Sequence, residues 1–143
     1  MTAFGGFDHV DLRVPVLGVV ERFYDVFFTR LGLTRKSYSW VEFGGSSWSD
    51  ATPERYNAVE YYEENVSGRP AHFIGIIEEG TAQPARGRIA FAVDADTLEE
   101  WHGVLHELGA REIERSDDDS YPALFFTDPV GTRLEICARR SRP

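Results

Sequence analysis

The stretch Arg86–Gly109, "RGRIAFAVDADTLEEWHGVLHELG", decides the fold. Its first part alternates: Ile89, Phe91 and Val93 on one face, Arg88, Ala90 and Ala92 on the other. That period of two marks a strand with one buried face. The remainder changes to helical spacing. Leu98, Trp101, Leu105 and Leu108 form one stripe, Asp96 and Glu99 are spaced as a capping box, and Gly109 is placed as the stop. A strand followed by an amphipathic helix is therefore predicted, with a permanently charged Arg88 at the strand's mouth.

The same grammar occurs earlier. In "FDHVDLRV" (7–14), Val10, Leu12 and Val14 share the apolar face, while His9, Asp11 and Arg13 share the polar one. "LGVVERFYDVFFTRLGL" (17–33) then repeats Val20, Phe23, Phe27 and Leu31 at helical spacing and stops at Gly32. Three strand-like runs follow each helix. They are "SYSWVEFGG", "NAVEYYEE" and "HFIGIIE" in the first half, and "REIER", "ALFFT" and "RLEICA" in the second. "SGRP" and "DPVG" are the turns among them. The expected fold is α+β: two β-α-β-β-β units forming a curved mixed sheet around a cleft, with helices on the outer face. We expect a single domain over 1–143, with unit one at about 7–78, a linker at 79–87 and unit two at about 88–138.

Composition narrows the function. The 143 residues carry 15 Lys+Arg against 24 Asp+Glu, a formal charge of −9. Such a surface repels phosphate backbones and anionic lipid, so no nucleic-acid or membrane partner is expected. One cysteine, Cys137, excludes an intrachain disulfide and a cysteine-rich zinc site. With no basic leader and no long apolar run, a cytoplasmic location is expected.

A strand-borne His near the start, "FY" and "LGL" around the first helix, "RIAFAV", and above all "FFTDPVGTRLEI" (125–136) resemble the vicinal oxygen chelate superfamily. Its members include glyoxalases, extradiol dioxygenases, fosfomycin-resistance transferases and bleomycin-resistance proteins. The resemblance covers roughly residues 7–138. It implies a divalent metal held by first-strand His residues and a last-strand carboxylate. His9 and Glu135 match two of those positions. Arg88 stands where the second unit would place its His, and Gly75 falls at the fourth position.

Arginine has no lone pair to give and adds a positive charge where a cation would sit. At 4 Å and an effective dielectric of about 20, one pair of unit charges interacts by roughly 4 kcal/mol, and a divalent ion would feel about twice that. A metal-free site is therefore expected, with Arg88 paired to Glu135 and His9 alongside. The alternative is a divalent metal (Ni, Zn, Mn or Fe) on His9 and Glu135, serving a lyase, isomerase or dioxygenase. Glu135 is also a candidate base and Arg88 a candidate stabiliser of anionic charge.

The remaining motifs are read as structure. His102 and His106 lie on the solvated face of the second helix, "SDDDS" (116–120) is a polar turn, and His72 points away from the cleft. Aromatic residues are abundant, and Trp40 and Tyr61 join His9, Arg88 and Glu135 as expected ligand contacts. The 44–57 loop, with Trp48, is the expected rim or lid. The function expected is binding of a small aromatic or anionic molecule by a homodimer with a degenerate metal site.

Overall fold

A computed structural model describes residues 3–42 and 47–139. Its elements run β1 (His9–Val14), α1 (Leu17–Arg30), β2 (Arg35–Val41), β3 (Trp48–Asp50), β4 (Ala58–Tyr62) and β5 (Phe73–Glu78). The second half has β6 (Ile89–Ala92), α2 (Leu98–Glu107), β7 (Arg111–Arg115), β8 (Ala123–Thr127) and β9 (Arg133–Cys137). They form two mixed sheets, ordered β1-β5-β4-β2-β3 and β6-β9-β8-β7. In each, the first strand lies parallel to the last and the others pair antiparallel. The α+β duplication read from the sequence is thus the fold. The first unit adds β3, a three-residue strand inside the loop expected to form a rim; residues 44–46 of that loop lie outside the described residues. Among the described residues, no helix is long and apolar enough to cross a membrane.

Two compact units result: Met1–Leu17 with Phe28–Ala82, and Gly18–Phe27 with Gln83–Pro143. The ends of α1 thus count with the first unit and its middle with the second. In the second unit, the Phe27 ring meets Phe91, Trp101 and Phe126 edge-on at 5.4–5.6 Å, and Phe23 stacks on Phe27. Such pairs contribute about 0.5–1.5 kcal/mol each beyond their burial. In the first unit, Phe28 packs on Tyr61 at 5.0 Å. That contact turns the Tyr61 face of the sheet toward the helix end. The amide of Leu17 donates to Glu78 Oε2 at 2.9 Å, so a carboxylate satisfies one of the helix's unpaired N-terminal N–H groups.

Both helices end in the same way. Leu33 N donates to Phe28 O and Gly32 N to Thr29 O; Ala110 N donates to Leu105 O and Gly109 N to His106 O. These are paired Schellman closures, and they need the left-handed backbone that Gly32 (φ +95°) and Gly109 (φ +82°) supply. The start of α2 corrects the sequence reading. A 3-10 turn, Ala95–Thr97, precedes the helix and absorbs Asp96, so no capping box forms. Thr97 holds the cap position without a side-chain cap, and its hydroxyl donates back to Asp94 O at 2.7 Å.

Candidate functional site

Strand register places the chemistry of the first unit. Asp11 pairs with Gly75, and Gly75 pairs with Glu60, so these three residues form one row across β1, β5 and β4. Directly paired residues project to the same side of a sheet. This side is the one opposite Tyr61.

One row over, His9, Phe73, Tyr62 and Arg35 are also paired in sequence across β1, β5, β4 and β2. Their side chains stack as a column. His9 lies on Phe73 at 4.5 Å with planes 6° apart, Phe73 on Tyr62 at 4.6 Å, and the Arg35 guanidinium over Tyr62 at 4.7 Å. The column forms one wall of an open depression of about 600 Å³. Its other lining side chains are Asp11, Ser39, Trp48, Ser49, Asp50 and Glu60.

Gly75 makes room for two of these side chains. A Cβ there would stand 2.6 Å from Asp11 Oδ1 and 3.7 Å from the Trp48 indole, so both side chains use the space a larger residue would fill. Glu60 lies at the base, only 4% exposed. The Ser39 hydroxyl donates to its Oε1, while Oε2 has no hydrogen-bond partner among the described residues. Burial pushes the Glu60 carboxyl above its usual range. The Ser39 hydrogen bond opposes that shift, and the nearby charges of Asp11 and Asp50 add to it. Tyr62 is raised as well, first by burial and then by Glu60. His9 is tethered at the rim, with Nδ1 2.7 Å from Asp8 Oδ2 and Nε2 3.8 Å from Asp11 Oδ2.

The residues expected from sequence are distributed differently. His9 lines the depression, but Tyr61 and Trp40 do not. Tyr61 is buried on the opposite face against Phe28, and Trp40 shares that parity, with the Arg55 guanidinium 4.8 Å over its ring. Tyr62 and Trp48 supply the aromatic surface instead. His72 is engaged by Glu63, through its backbone N–H at 2.9 Å and its ring at 3.8 Å.

Arg88 and Glu135 belong to the second unit, and the expected ion pair between them does not form. Glu135 is 6% exposed, and its Oε1 accepts the Tyr121 hydroxyl at 2.5 Å. That hydrogen bond, aided by burial, holds the Tyr121 phenol above its ordinary range. The Arg88 guanidinium instead lies over the Phe125 ring at 4.7 Å, exposed, beside a shallow depression that Arg133 and Glu114 also line. Phe125 is the direct neighbour of Glu135 in the register. Stacking there keeps the guanidinium hydrated, whereas reaching a buried carboxylate would strip its water.

Glu60, Ser39 and Asp50 were missed as site residues. The available signal was the lone charge in "NAVEYY", placed between apolar neighbours at a position with the same parity as Tyr62.

The donor set does not fit a metal of the kind the resemblance implies. Gly75 carries no side chain and Arg88 no lone pair. The described residues contain no group of three or more His, Cys, Asp or Glu placed to hold an ion.

Two parallel-closed β-α-β-β-β modules are the fold of the vicinal oxygen chelate superfamily, and this chain has that fold. Solved structures with it include FosX, a fosfomycin resistance protein from Listeria monocytogenes, at 17% identity over 96% of each chain and a TM-score of 0.62. A crystal form of the same FosX contains Mn(II) and sulfate, at 19% identity, covering 96% of this chain and 95% of that one, with a TM-score of 0.61. A protein described as a glyoxalase family member from Bacillus anthracis matches at 19% identity, covering 98% of this chain and 99% of that one, with a TM-score of 0.58. At such identities the likeness establishes the fold and leaves the chemistry to the residues. No protein-family model matches the chain, and no curated protein sequence matches it.

Proposed function

We propose that this chain is a small-molecule-binding protein whose ligand occupies the depression on the β1-β5-β4 face, without a resident metal. The observation that carries the reading is an open volume of about 600 Å³ between a stacked aromatic wall and the Trp48 indole, with the buried Glu60 in its lining. Pockets for small ligands combine such apolar walls with a few fixed polar groups, here Ser39, Asp11 and Glu60. An aromatic ligand body suits the walls. The anionic ligand expected from Arg88 does not suit this depression, because Asp11, Asp50 and Glu60 would repel it. We also propose that two copies pair, since both sheets have edge strands to cover. The lone Cys137 fits a reducing, cytoplasmic setting.

The test is elemental analysis of untagged protein, before and after soaking in Ni, Zn, Mn and Fe(II), together with thermal-shift screening of aromatic compounds. No stoichiometric metal, with a rise in Tm from aromatic compounds, is the expected result. About one metal per chain, lost in His9→Ala or Glu135→Ala, would return the protein to the metal-dependent lyase, isomerase or dioxygenase reading. Arg88→His extends the test: if only that ligand was missing, metal affinity rises in the variant.

A further inference from the structure

Glu60 is more than nine-tenths buried, lines the depression, and has one oxygen held by Ser39 and the other without a partner among the described residues. Buried polar atoms in folded proteins are nearly always paired, and a bare carboxylate oxygen is among the most costly to leave alone. Oε2 therefore calls for a donor brought from outside the fold.

Charge selects the donor's sign. Asp11 and Asp50 line the same depression, and the only basic side chain in the lining among the described residues, His9, is engaged by Asp8. Arg35 lies at the far end of the stacked column, over Tyr62, and does not line the depression. The summed field favours a cation.

Geometry then selects the kind of cation. A metal needs several converging donors, and the described residues place no group of three or more His, Cys, Asp or Glu to hold an ion here. Enclosing a quaternary ammonium needs several open aromatic faces, and Trp48 alone makes no cage. Here both faces of Phe73 are taken, by His9 and Tyr62, and both faces of Tyr62 by Phe73 and Arg35. What remains is a buried carboxylate, with Asp11 and Asp50 beside it and an aromatic wall above.

We propose that the depression takes a small molecule bearing a protonated primary or secondary amine, whose N–H donates to the Glu60 carboxylate while its apolar body packs against the Trp48 indole and the ring edges of Tyr62 and Phe73. This rests on the small-molecule reading above and names the ligand's chemistry. The raised proton affinity of Glu60 in the free protein accords with a carboxylate that lacks its counter-charge.

The test is isothermal titration of the full chain at pH 7 with benzylamine, benzyl alcohol, benzyltrimethylammonium and MnCl2, with amide chemical shifts mapping where each binds. Benzylamine is expected to bind at least about tenfold more tightly than the alcohol or the quaternary ion, as loss of a hydrogen bond to a charged partner implies. Glu60→Gln should weaken benzylamine by about tenfold or more and leave the alcohol unchanged. Asp11→Asn, at an exposed position, should weaken benzylamine by less. It carries the test if circular dichroism shows Glu60→Gln to be unfolded.

Equal affinities for amine and alcohol, or benzylamine binding unchanged in every folded variant, would overturn the amine assignment and leave the small-molecule reading standing. Mn(II) displacing benzylamine at one ion per chain would overturn the assignment in favour of a metal site. If none of the three organic probes shifts the resonances of Trp48, Tyr62 or Phe73, both readings fall.

Discussion

Asp11 Oδ1 occupies the space beside Gly75, 2.6 Å from where a Cβ on that residue would stand. The two are direct register partners, and Glu60 is the next residue in the row. The missing side chain thus lets Asp11 and the Trp48 indole close over Gly75, and both of them line the candidate site together with Glu60. At the position where the superfamily resemblance implies a ligand, this chain has made room instead.

A side chain at Gly75, displacing Asp11, should separate stability from binding. In Gly75→Ala the close contact is with the movable end of Asp11, and the loss of glycine freedom in the unfolded chain stabilises by about 0.4–1 kcal/mol. The net change in stability should stay within about 1 kcal/mol, while benzylamine binding falls. Gly75→Val also crowds the Trp48 indole and should cost about 1–3 kcal/mol. Urea unfolding and titration of the same samples check both.

Glu60 gives the protein a pH dependence of defined sign. Its folded-state affinity for a proton is raised above the usual 4.5 by burial, with Asp11 and Asp50 adding to the effect against the opposing Ser39 bond. The unfolded chain therefore releases this proton first, and stability falls as pH rises from about 4.5 through the raised folded value. Glu60→Gln removes that slope. The variant should gain in Tm over the native chain at pH 8 relative to pH 4, as calorimetry at the two values will measure.

Glu63 behaves in the opposite way. It accepts Arg69 at 2.7 and 3.1 Å and the His72 amide at 2.9 Å, and its carboxyl is held down at about 2, chiefly by the Arg69 hydrogen bond. Its contribution to stability is complete above about 4.5 and is lost as pH falls toward 2. A carbon-detected titration should place the Glu63 midpoint near 2, and Arg69→Ala should move it up toward the ordinary carboxylate value.

Asp128 organises the "DPVG" turn from a fully buried position. Its Oδ1 accepts the amides of Val130 and Thr132 at 2.9 Å each, and its Oδ2 accepts the Tyr24 hydroxyl at 2.6 Å. Asp128→Ala leaves three donors unsatisfied and should cost about 3–5 kcal/mol; Tyr24→Phe removes one bond and should cost about 1–2 kcal/mol. Chemical denaturation of the two variants separates these values.

The alternation of "FDHVDLRV" and "RIAFAV" is reproduced in the burial of β1 and β6, and the Leu-Gly helix ends become matched closures at Gly32 and Gly109. These features are legible because they are local: a period of two, a period of 3.6, and a backbone angle that glycine supplies. His9, Asp11 and Arg13 could be placed on the polar face for the same reason. The short β3 was not legible, since three residues carry no periodicity and their pairing is set by β2. Nor was the capping of α2, where a 3-10 turn displaced the residues that looked like a box.

Pairing across strands is where the sequence stopped. Parity tells which face a residue takes within its own strand, but only register makes Glu60 the neighbour of Gly75 and Gly75 the neighbour of Asp11. The same limit misplaced Tyr61 by one residue, and a slip of one sends a side chain through the sheet. It also misjudged Arg88, whose charge was readable but whose partner was not. Sequence by itself determined the strand-helix grammar, its duplication and the acidic character, because each is a property of residues close in the chain or of composition. The tertiary structure decided that Arg88 rests on Phe125, that Tyr121 takes Glu135, and that Glu60 is buried with one oxygen unpaired among the described residues. Burial and hydrogen-bond partners are settled between strands far apart in sequence, where desolvation outweighs formal charge.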